Sequence, residues 1–146
     1  MIEINESFMR MALHESMKAL PMCLPNPPVG AVITHNNNVV GKGFTQRYGG
    51  KHAEVIAIEN ILKVPLNECE IYITLEPCSF YGKTPPCVEK IIEHDFRKVF
   101  IGIIDPHSKN NGKSVSMLRA KGIDVNVGLL KDEIEKFIEK YLWSEE

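Results

Sequence analysis

Residues 71–94 of the 146-residue chain read IYITLEPCSFYGKTPPCVEKIIEH, and this segment carries the strongest structural signals. Residues 71–75 are mostly β-branched or aromatic, which predicts a buried central strand. Residues 86–94 place Val88, Ile91 and Ile92 at helical spacing and predict a helix. Residues 84–87 fit the N-cap and the first three helical positions, because proline is tolerated in a first helical turn. A strand joined to a helix by an irregular loop is typical of an α/β domain.

Four further strands are predicted on either side of this segment. Residues 29–34 and 39–44 are apolar runs separated by three asparagines, which predicts a hairpin. Residues 99–104 are rich in β-branched side chains and predict a second central strand, and residues 123–127 predict a fifth. Because the strands alternate with predicted helices, we expect an α/β fold, a three-layer α/β/α sandwich.

The remaining helices are predicted from apolar periodicity and helix-end signals. A first helix begins at an Asn5 N-cap, and its buried face comprises Met9, Ala12, Leu13, Ser16, Met17 and Leu20. Residues 52–62 are apolar nearly all round and predict a helix that is buried against the sheet. Residues 115–121 predict a short helix with Gly122 at C′, and residues 131–142 predict the last helix.

The composition is that of one globular domain over residues 1–146. Hydrophobic residues make up 44% and charged residues 25% of the chain, and no apolar run approaches the ~20 residues that span a bilayer. The formal net charge of −2 argues against a nucleic-acid partner, because such proteins usually carry a basic excess. The N-terminal residues lack the basic and apolar regions of a signal peptide, so we expect a cytoplasmic protein with no membrane partner.

Three side chains form a candidate metal site: His52, Cys78 and Cys87. Imidazole and thiolates are strong zinc ligands, and three protein ligands leave a fourth position for water. Zinc lowers the pKa of that water towards neutrality and makes hydroxide available. Each of the three lies at the end of a predicted element, so we expect them to meet at the sheet edge. Cys87 is placed at the positive end of a helix dipole, which predicts a lowered thiol pKa.

Glu54 is the candidate general acid and base. It follows His52 by two residues, so the two side chains diverge on a helical turn and Glu54 is placed to contact the metal-bound water. The tripeptide His52-Ala53-Glu54 followed by Pro77-Cys78 is typical of zinc nucleobase deaminases, although the second cysteine lies further along than in their P-C-x-x-C spacing.

Other interpretations of these residues are open. A structural zinc site needs a fourth ligand, for which His107 and Cys23 are the candidates. Glu54 could instead be an acid favoured by the dipole at a helix N-terminus. The site could also be a buried histidine with two inert thiols. We interpret Cys23 and Cys69 as packing residues, because neither has a partner at metal-ligand spacing.

Several segments together carry a family resemblance: residues 25–30 (PNPPVG), 52–55 (HAEV), 74–79 (TLEPCS) and 84–87 (TPPC), with Gly82, Asp105 and Pro106. On these residues the chain resembles the deaminase domain of bacterial riboflavin-biosynthesis pyrimidine deaminases, from about residue 8 to residue 128 or beyond. The eight-residue gap between Cys78 and Cys87 separates this family from most cytidine, guanine and tRNA deaminases.

The resemblance implies a cytidine-deaminase-like α/β/α sandwich around a mixed five-stranded sheet, with zinc as the cofactor. It also implies deamination of a diaminopyrimidine that bears a ribosylamino phosphate. Family members are usually fused to an NADPH-dependent reductase. This sequence ends at Glu146, so we expect the deaminase domain alone, in a homodimer or a larger homo-oligomer.

Predicted substrate contacts are partly retained from the family and partly changed. They are Asn26, Thr45, Ala53, Ser79, Phe80, Lys83 and Asp105. Thr45 and Phe80 stand where the family typically has histidine, and His107-Ser108 stands where it has Asn-Pro. Lys83 stands where the family has Arg or Lys, either towards the phosphate or in solvent. The expected substrate is therefore an aminated pyrimidine. Another nucleobase or nucleoside, a tRNA, or a non-catalytic zinc module are the alternatives.

Overall fold

The computed structural model describes residues 2–82 and 85–142. Helices and strands alternate along this part of the chain, except that two strands follow the first helix in succession. The helices are α1 (Ile2–Met17), α2 (Ala53–Glu59), α3 (Cys87–His94), α4 (Lys113–Ala120) and α5 (Lys131–Ile138). The strands are β1 (Gly30–His35), β2 (Asn38–Phe44), β3 (Glu70–Leu75), β4 (Lys98–Ile103) and β5 (Asp124–Val127). Short 3-10 turns over Leu66–Glu68 and Glu139–Tyr141 precede β3 and follow α5.

The five strands form one mixed sheet in the order β2-β1-β3-β4-β5. Strand β1 is antiparallel to both β2 and β3, whereas β3, β4 and β5 are parallel. The expected α/β class and mixed five-stranded sheet are confirmed. Leu75 at the end of β3 pairs with Ile103 at the end of β4, so the loops after these two strands leave the sheet at the same edge.

Helices cover both faces of the sheet. On one face, α2, α3 and α4 bury side chains such as Ala57, Ile91 and Leu118. On the other face, α1 and α5 bury Met9 and Ile134. This arrangement is the expected three-layer sandwich. Within the described residues, no helix combines the length and the apolar character that a membrane crossing requires.

A glycine in β2 brings α2 close to the sheet. A Cβ atom at Gly43 would lie only 2.7 Å from the Ala53 carbonyl oxygen and 2.7 Å from the Ala57 nitrogen. Real Cβ atoms essentially never come this close to another atom, so α2 can pack here only against a residue without a side chain. This contact places the start of α2, which follows His52 directly.

The first helix differs from its prediction at both ends. It begins at Ile2, so Asn5 lies inside α1 and is not its N-cap. The Asn5 side chain instead accepts a hydrogen bond from the Tyr72 hydroxyl (2.9 Å) on the sheet. Met17 was expected in the buried face but is exposed, because α1 ends at this residue and the chain turns away.

Other helix boundaries also differ: α4 begins at Lys113 and not at residue 115, and α5 ends at Ile138 and not at residue 142. The helix predicted over residues 52–62 ends at Glu59, and the Leu62 N–H donates to the Val40 carbonyl oxygen (2.8 Å), so the chain returns to β2. The helix predicted to start with a Thr84 N-cap begins at Cys87, because Pro86 has an extended ψ of 129°. Thr84 itself lies outside the described residues.

Candidate active site

Three potential metal ligands meet at one edge of the sheet. His52 precedes α2, Cys78 follows β3 and Cys87 begins α3. The His52 Nδ1 atom lies 3.1 Å from the Cys87 Sγ atom and 3.7 Å from the Cys78 Sγ atom. Ligand atoms on a tetrahedral zinc ion lie roughly 3.5 Å apart, given zinc–sulfur and zinc–nitrogen bonds of about 2.3 and 2.0 Å. The spacing and the donor types therefore fit zinc.

This group has three members in the part of the chain that the structure describes, residues 2–82 and 85–142. All its ligand atoms lie within 4.8 Å of one another. Neither candidate for a fourth ligand, His107 or Cys23, belongs to it. Cys23 and Cys69 are fully buried free thiols, as expected for packing residues. Three ligands with an open fourth position are typical of a catalytic zinc site, not a structural one.

Cys78 also holds the start of α3. Its carbonyl oxygen accepts a hydrogen bond from the Val88 N–H (3.1 Å), and its Sγ atom accepts one from the Cys87 N–H (3.2 Å). These bonds satisfy two of the N–H groups that a helix leaves unpaired at its N-terminus. The positive end of α3 therefore faces the sulfur of Cys78.

The two thiols differ in acidity. Hydrogen bonding by Cys87, assisted by His52, lowers the pKa of Cys78 to about 5. The same contact raises the pKa of Cys87 well above its usual range, and burial and the charge of Glu54 add to this. The expected lowering of the Cys87 pKa is therefore wrong. Ionising Cys87 beside Cys78 places two negative charges in contact, a cost that a bound divalent cation would remove.

Glu54 lies beside the three potential ligands, in the first turn of α2. The residue is 3% exposed, and burial raises its pKa to about 7, against the opposing effect of His52. A carboxyl group of this acidity gains and releases a proton near neutral pH.

A cavity of about 330 Å³ opens next to these residues. His52, Cys78 and Glu54 all contribute to its wall, so two potential metal ligands and an acid–base group face one space. The other lining residues are Asn26, Pro27, Val29, Thr45, Tyr48, Gly49, Gly50, Leu75, Glu76, Phe80, Gly82 and Asp105. The volume suits a small ligand.

The structure brings most of the predicted substrate contacts to this cavity. Asn26, Thr45, Phe80 and Asp105 line it. Ala53 and Ser79 are described but are not part of the lining. The Ala53 side chain lies in the core, and the Ser79 hydroxyl donates to the Asn110 side chain (2.8 Å). Lys83 lies outside the described residues.

Both cavity positions where the family typically has histidine are engaged with the protein itself. The Thr45 hydroxyl accepts a hydrogen bond from the Val29 N–H (2.9 Å). The Phe80 ring stacks on His107 with 5.4 Å between ring centroids, and the Lys109 Nζ atom lies 5.8 Å from the Phe80 centroid. The Phe80 ring is therefore held in place by His107 and Lys109, and it presents an aromatic surface to the cavity.

A buried carboxylate joins the loops at this edge of the sheet. Glu76 Oε1 accepts from the N–H groups of Asp105 (3.1 Å) and Gly112 (2.9 Å). Glu76 Oε2 accepts from the N–H groups of Ser114 (3.1 Å) and Val115 (3.4 Å), and from the Ser114 hydroxyl (2.7 Å). Glu76 thus caps α4 and fixes the loop that carries Asp105.

Sequence patterns gave Glu76 no role beyond membership of the TLEPCS segment, and gave Asn110 none. Neither residue has a spacing signal, since Glu76 bonds to the loop after β4 and Asn110 bonds to Pro77 and Ser79, which are far away in the sequence.

Residues 2–103 match the family model described as the cytidine and deoxycytidylate deaminase zinc-binding region. The chain belongs to this deaminase family. The diaminohydroxyphosphoribosylamino-pyrimidine deaminase of Buchnera aphidicola subsp. Schizaphis graminum is 45% identical to it over 113 residues, which cover 77% of this chain and 76% of that protein. This similarity confirms the resemblance to riboflavin-biosynthesis pyrimidine deaminases.

Two longer relatives match this chain over nearly its whole length. The riboflavin biosynthesis protein RibD of Chlamydia pneumoniae is 39% identical over 136 residues, which cover 93% of this chain and 36% of that protein. The crystal structure of a diaminohydroxyphosphoribosylaminopyrimidine deaminase/5-amino-6-(5-phosphoribosylamino)uracil reductase from Thermotoga maritima has a TM-score of 0.90 and 39% identity, over 96% of this chain and 40% of that chain. This chain therefore spans less than half the length of these two relatives.

Proposed function

We propose that the chain catalyses zinc-dependent hydrolytic deamination of an aminated pyrimidine, with diaminohydroxyphosphoribosylaminopyrimidine as the leading substrate. One observation carries the proposal: the three potential ligands and the buried Glu54 share a single cavity. The names of the relatives from Buchnera aphidicola and Thermotoga maritima support the choice of substrate.

In this proposal His52, through Nδ1, and Cys78 and Cys87, through Sγ, hold the zinc ion. When bound, zinc supplies Lewis-acid chemistry that lowers the pKa of water towards neutrality. The three residues fix the position of that chemistry, because each is anchored at the end of a helix or strand.

Glu54 moves the protons of the reaction. Its carboxylate takes a proton from the water whose oxygen attacks the ring carbon bearing the amine. It delivers this proton to the ring nitrogen. It then takes the second proton from the hydroxyl group now on the ring carbon and delivers that proton to the departing amine. The carbon–nitrogen bond breaks, ammonia leaves and a carbonyl group replaces the amine on the ring. Burial of Glu54 shields these transfers from bulk water.

The cavity wall orients the pyrimidine. We assign hydrogen bonds with its polar groups to Asn26 and Asp105, and apolar contact to Phe80, since all three line the cavity. We also assign weaker contacts with the substrate to the Ala53 N–H, Ser79 and Thr45. Lys83, outside the described residues, is retained as a contact to the phosphate.

Ammonia release tests the proposal. Zinc-loaded protein is given the diaminopyrimidine intermediate, cytosine, cytidine and guanine in parallel, with Glu54→Gln as the matched control. We expect the intermediate to react fastest, and the Gln variant to keep its zinc while losing at least ~100-fold in turnover. Absence of ammonia from every substrate would contradict a deaminase function.

A second candidate is deamination of a different nucleobase or nucleoside. Thr45 and Phe80 favour it, because the Thr45 hydroxyl bonds to Val29 and the Phe80 ring stacks on His107. Neither offers the imidazole donor that the family typically has there, and a site without a donor discriminates less well between related substrates. A Thr45→His/Phe80→His double variant should shift kcat/KM towards the diaminopyrimidine intermediate. An unchanged ratio would show that these positions do not set specificity.

A further inference from the structure

Asn110, in the loop between β4 and α4, is a fully buried polar residue next to the potential metal ligand Cys78. Its Nδ2 atom donates to the Pro77 carbonyl oxygen (3.0 Å) and to Asp105 Oδ2 (3.3 Å). Its Oδ1 atom accepts from the Ser79 hydroxyl (2.8 Å). Both the nitrogen and the oxygen of this amide therefore have hydrogen-bond partners.

The orientation of the Asn110 amide follows from its partners. A carbonyl oxygen and a carboxylate oxygen can only accept, so the nitrogen must face Pro77 and Asp105. The oxygen then faces the Ser79 hydroxyl, which can donate. Turning the amide over would place its oxygen against two acceptors.

These contacts hold the chain on both sides of Cys78. Pro77 precedes it and Ser79 follows it, so one side chain fixes both neighbours of the ligand. Glu76 anchors the segment on the strand side only, through bonds to the loop after β4 and to the start of α4. Among the described residues, Asn110 is the side chain whose bonds reach both Pro77 and Ser79.

The position of Cys78 matters because its sulfur makes two contacts. It lies 3.7 Å from His52 Nδ1, and it accepts the hydrogen bond from the Cys87 N–H (3.2 Å). A shift of the Cys78 backbone would move its sulfur relative to both other potential ligands. Partners that orient metal ligands commonly change metal affinity by 10–100-fold when removed.

We propose that Asn110 is a positioning residue of the metal site: it clamps the Pro77–Ser79 segment and so sets the place of the Cys78 sulfur. The proposal rests on the zinc site proposed above. It goes beyond that site by assigning part of the metal affinity to a buried amide that binds no metal.

The test measures zinc affinity by competition with a chelator, and the thiolate-to-metal absorption of the cobalt(II)-substituted protein. Asn110→Ala should weaken zinc binding about tenfold and alter the cobalt absorption. Thr34→Val is the matched control, because Thr34 is also buried and its hydroxyl donates to Glu70 (3.0 Å), at the start of β3 and so at the opposite end of that strand from Cys78. This control should lower thermal stability and leave zinc affinity and the cobalt spectrum unchanged.

Asn110→Asp separates hydrogen bonding from packing. It keeps the size of the side chain and an acceptor for Ser79, but replaces the donor that faces Pro77 and Asp105. It should weaken zinc binding like Asn110→Ala. Ser79→Ala removes the hydrogen bond between Ser79 and Asn110 at a half-buried position, so it should cause a smaller loss of zinc affinity. This variant provides the test if the Asn110 variants fail to fold.

Unchanged zinc affinity and cobalt spectrum in the folded Asn110 variants, or in Ser79→Ala should those not fold, would overturn the positioning role while leaving the deaminase proposal intact. A wild-type protein that binds no zinc would instead overturn the proposed function, and this inference with it.

Discussion

At the scale of single residues, Glu54 and Asp105 are two of the buried carboxyl groups that line the cavity, and they differ in their partners. Burial raises the pKa of both Glu54 and Asp105. Asp105 is held by the His107 N–H (3.0 Å) and by Asn110 (3.3 Å), so its orientation is fixed. Glu54 lies beside His52, Cys78 and Cys87. Asp105, whose orientation is fixed, is therefore suited to bind the substrate, whereas Glu54 is suited to transfer protons.

The assignment of metal ligands leads to a test that compares two buried cysteines. Cys87→Ala should abolish stoichiometric zinc binding, because a site with two remaining ligands holds the ion weakly. Cys69→Ala is the control: Cys69 is equally buried and donates to the Pro65 carbonyl oxygen (3.4 Å) away from the site. It should keep its zinc. Elemental analysis after dialysis measures both, and equal zinc in the two variants would refute the ligand assignment.

The raised pKa of Asp105 predicts a pH dependence of stability. Burial is the main cause and the charge of Glu76 adds to it, while the His107 N–H and Asn110 oppose it. Above the ordinary carboxyl pKa the folded state therefore binds more protons than the unfolded state. The free energy of unfolding due to Asp105 then falls as the pH rises through its raised pKa.

Asp105→Asn removes this titration. Relative to wild type, the variant should gain stability as the pH is raised from about 4 upwards. Urea unfolding at a series of pH values measures the difference. A difference that stays constant with pH would show that Asp105 titrates alike in the folded and unfolded states.

Residue types and spacing were enough to predict His52, Cys78 and Cys87 as one cluster, because strong metal ligands rarely occur together by chance. The same reasoning misjudged the acidity of Cys87. That acidity depends on the contact with Cys78, which only the folded chain creates. Asn110 was missed for the same reason, since its partners become neighbours only after the loops have packed.

At the scale of elements, the contact between β2 and α2 determines where the site begins. A side chain at Gly43 would meet the α2 backbone at 2.7 Å. Gly43→Ala should therefore push α2 outwards, lower thermal stability and also weaken zinc binding, because His52 directly precedes this helix. Differential scanning calorimetry and chelator competition measure the two effects.

Gly82→Ala provides the comparison for Gly43→Ala. Among the described residues other than its chain neighbours, no atom lies within 4 Å of a Cβ at Gly82, so this change should leave stability within about 0.5 kcal/mol of wild type. If Gly43→Ala were as well tolerated as Gly82→Ala, the close packing of α2 on β2 would not hold the site in place.

All five strands were predicted close to their observed bounds, because alternating or continuous apolar runs are strong local signals. Helix ends were less predictable. Asn5 lies inside α1 and its side chain bonds to the Tyr72 hydroxyl instead of capping the helix, and the N–H of Leu62 pairs with Val40 beyond the end of α2. Such ends are set by partners on other elements, which local sequence does not reveal.

At the scale of the whole molecule, the metal site joins three elements that local structure alone would leave separate. Zinc bound only to the folded state stabilises it by about 4 kcal/mol at a concentration 1,000 times the dissociation constant. Removing zinc with a chelator under reducing conditions should lower the melting temperature by roughly 10 °C. The Cys87→Ala variant should show no such change, and an equal decrease in that variant would point to a chelator effect unrelated to the site.

The quaternary state predicted from the sequence belongs to this scale. A homodimer or larger homo-oligomer is expected, and size-exclusion chromatography with light scattering measures the mass in solution. A mass of 16.5 kDa would show that the chain is monomeric.

The pairing of β1 with β3 also has a consequence for the order of events in folding. Ala31 pairs with Ile73, and the segment between these strands contains His52 and all of α2. His52 cannot meet Cys78 until this long loop has closed, a non-local step of the kind that slows folding. Zinc should therefore slow unfolding and leave the refolding rate unchanged in stopped-flow experiments over a range of denaturant concentrations. Faster refolding with zinc would mean that the ligands already meet in the transition state. If refolding is unaffected, the ion governs how long a folded molecule lasts, and the chain alone governs how quickly it forms.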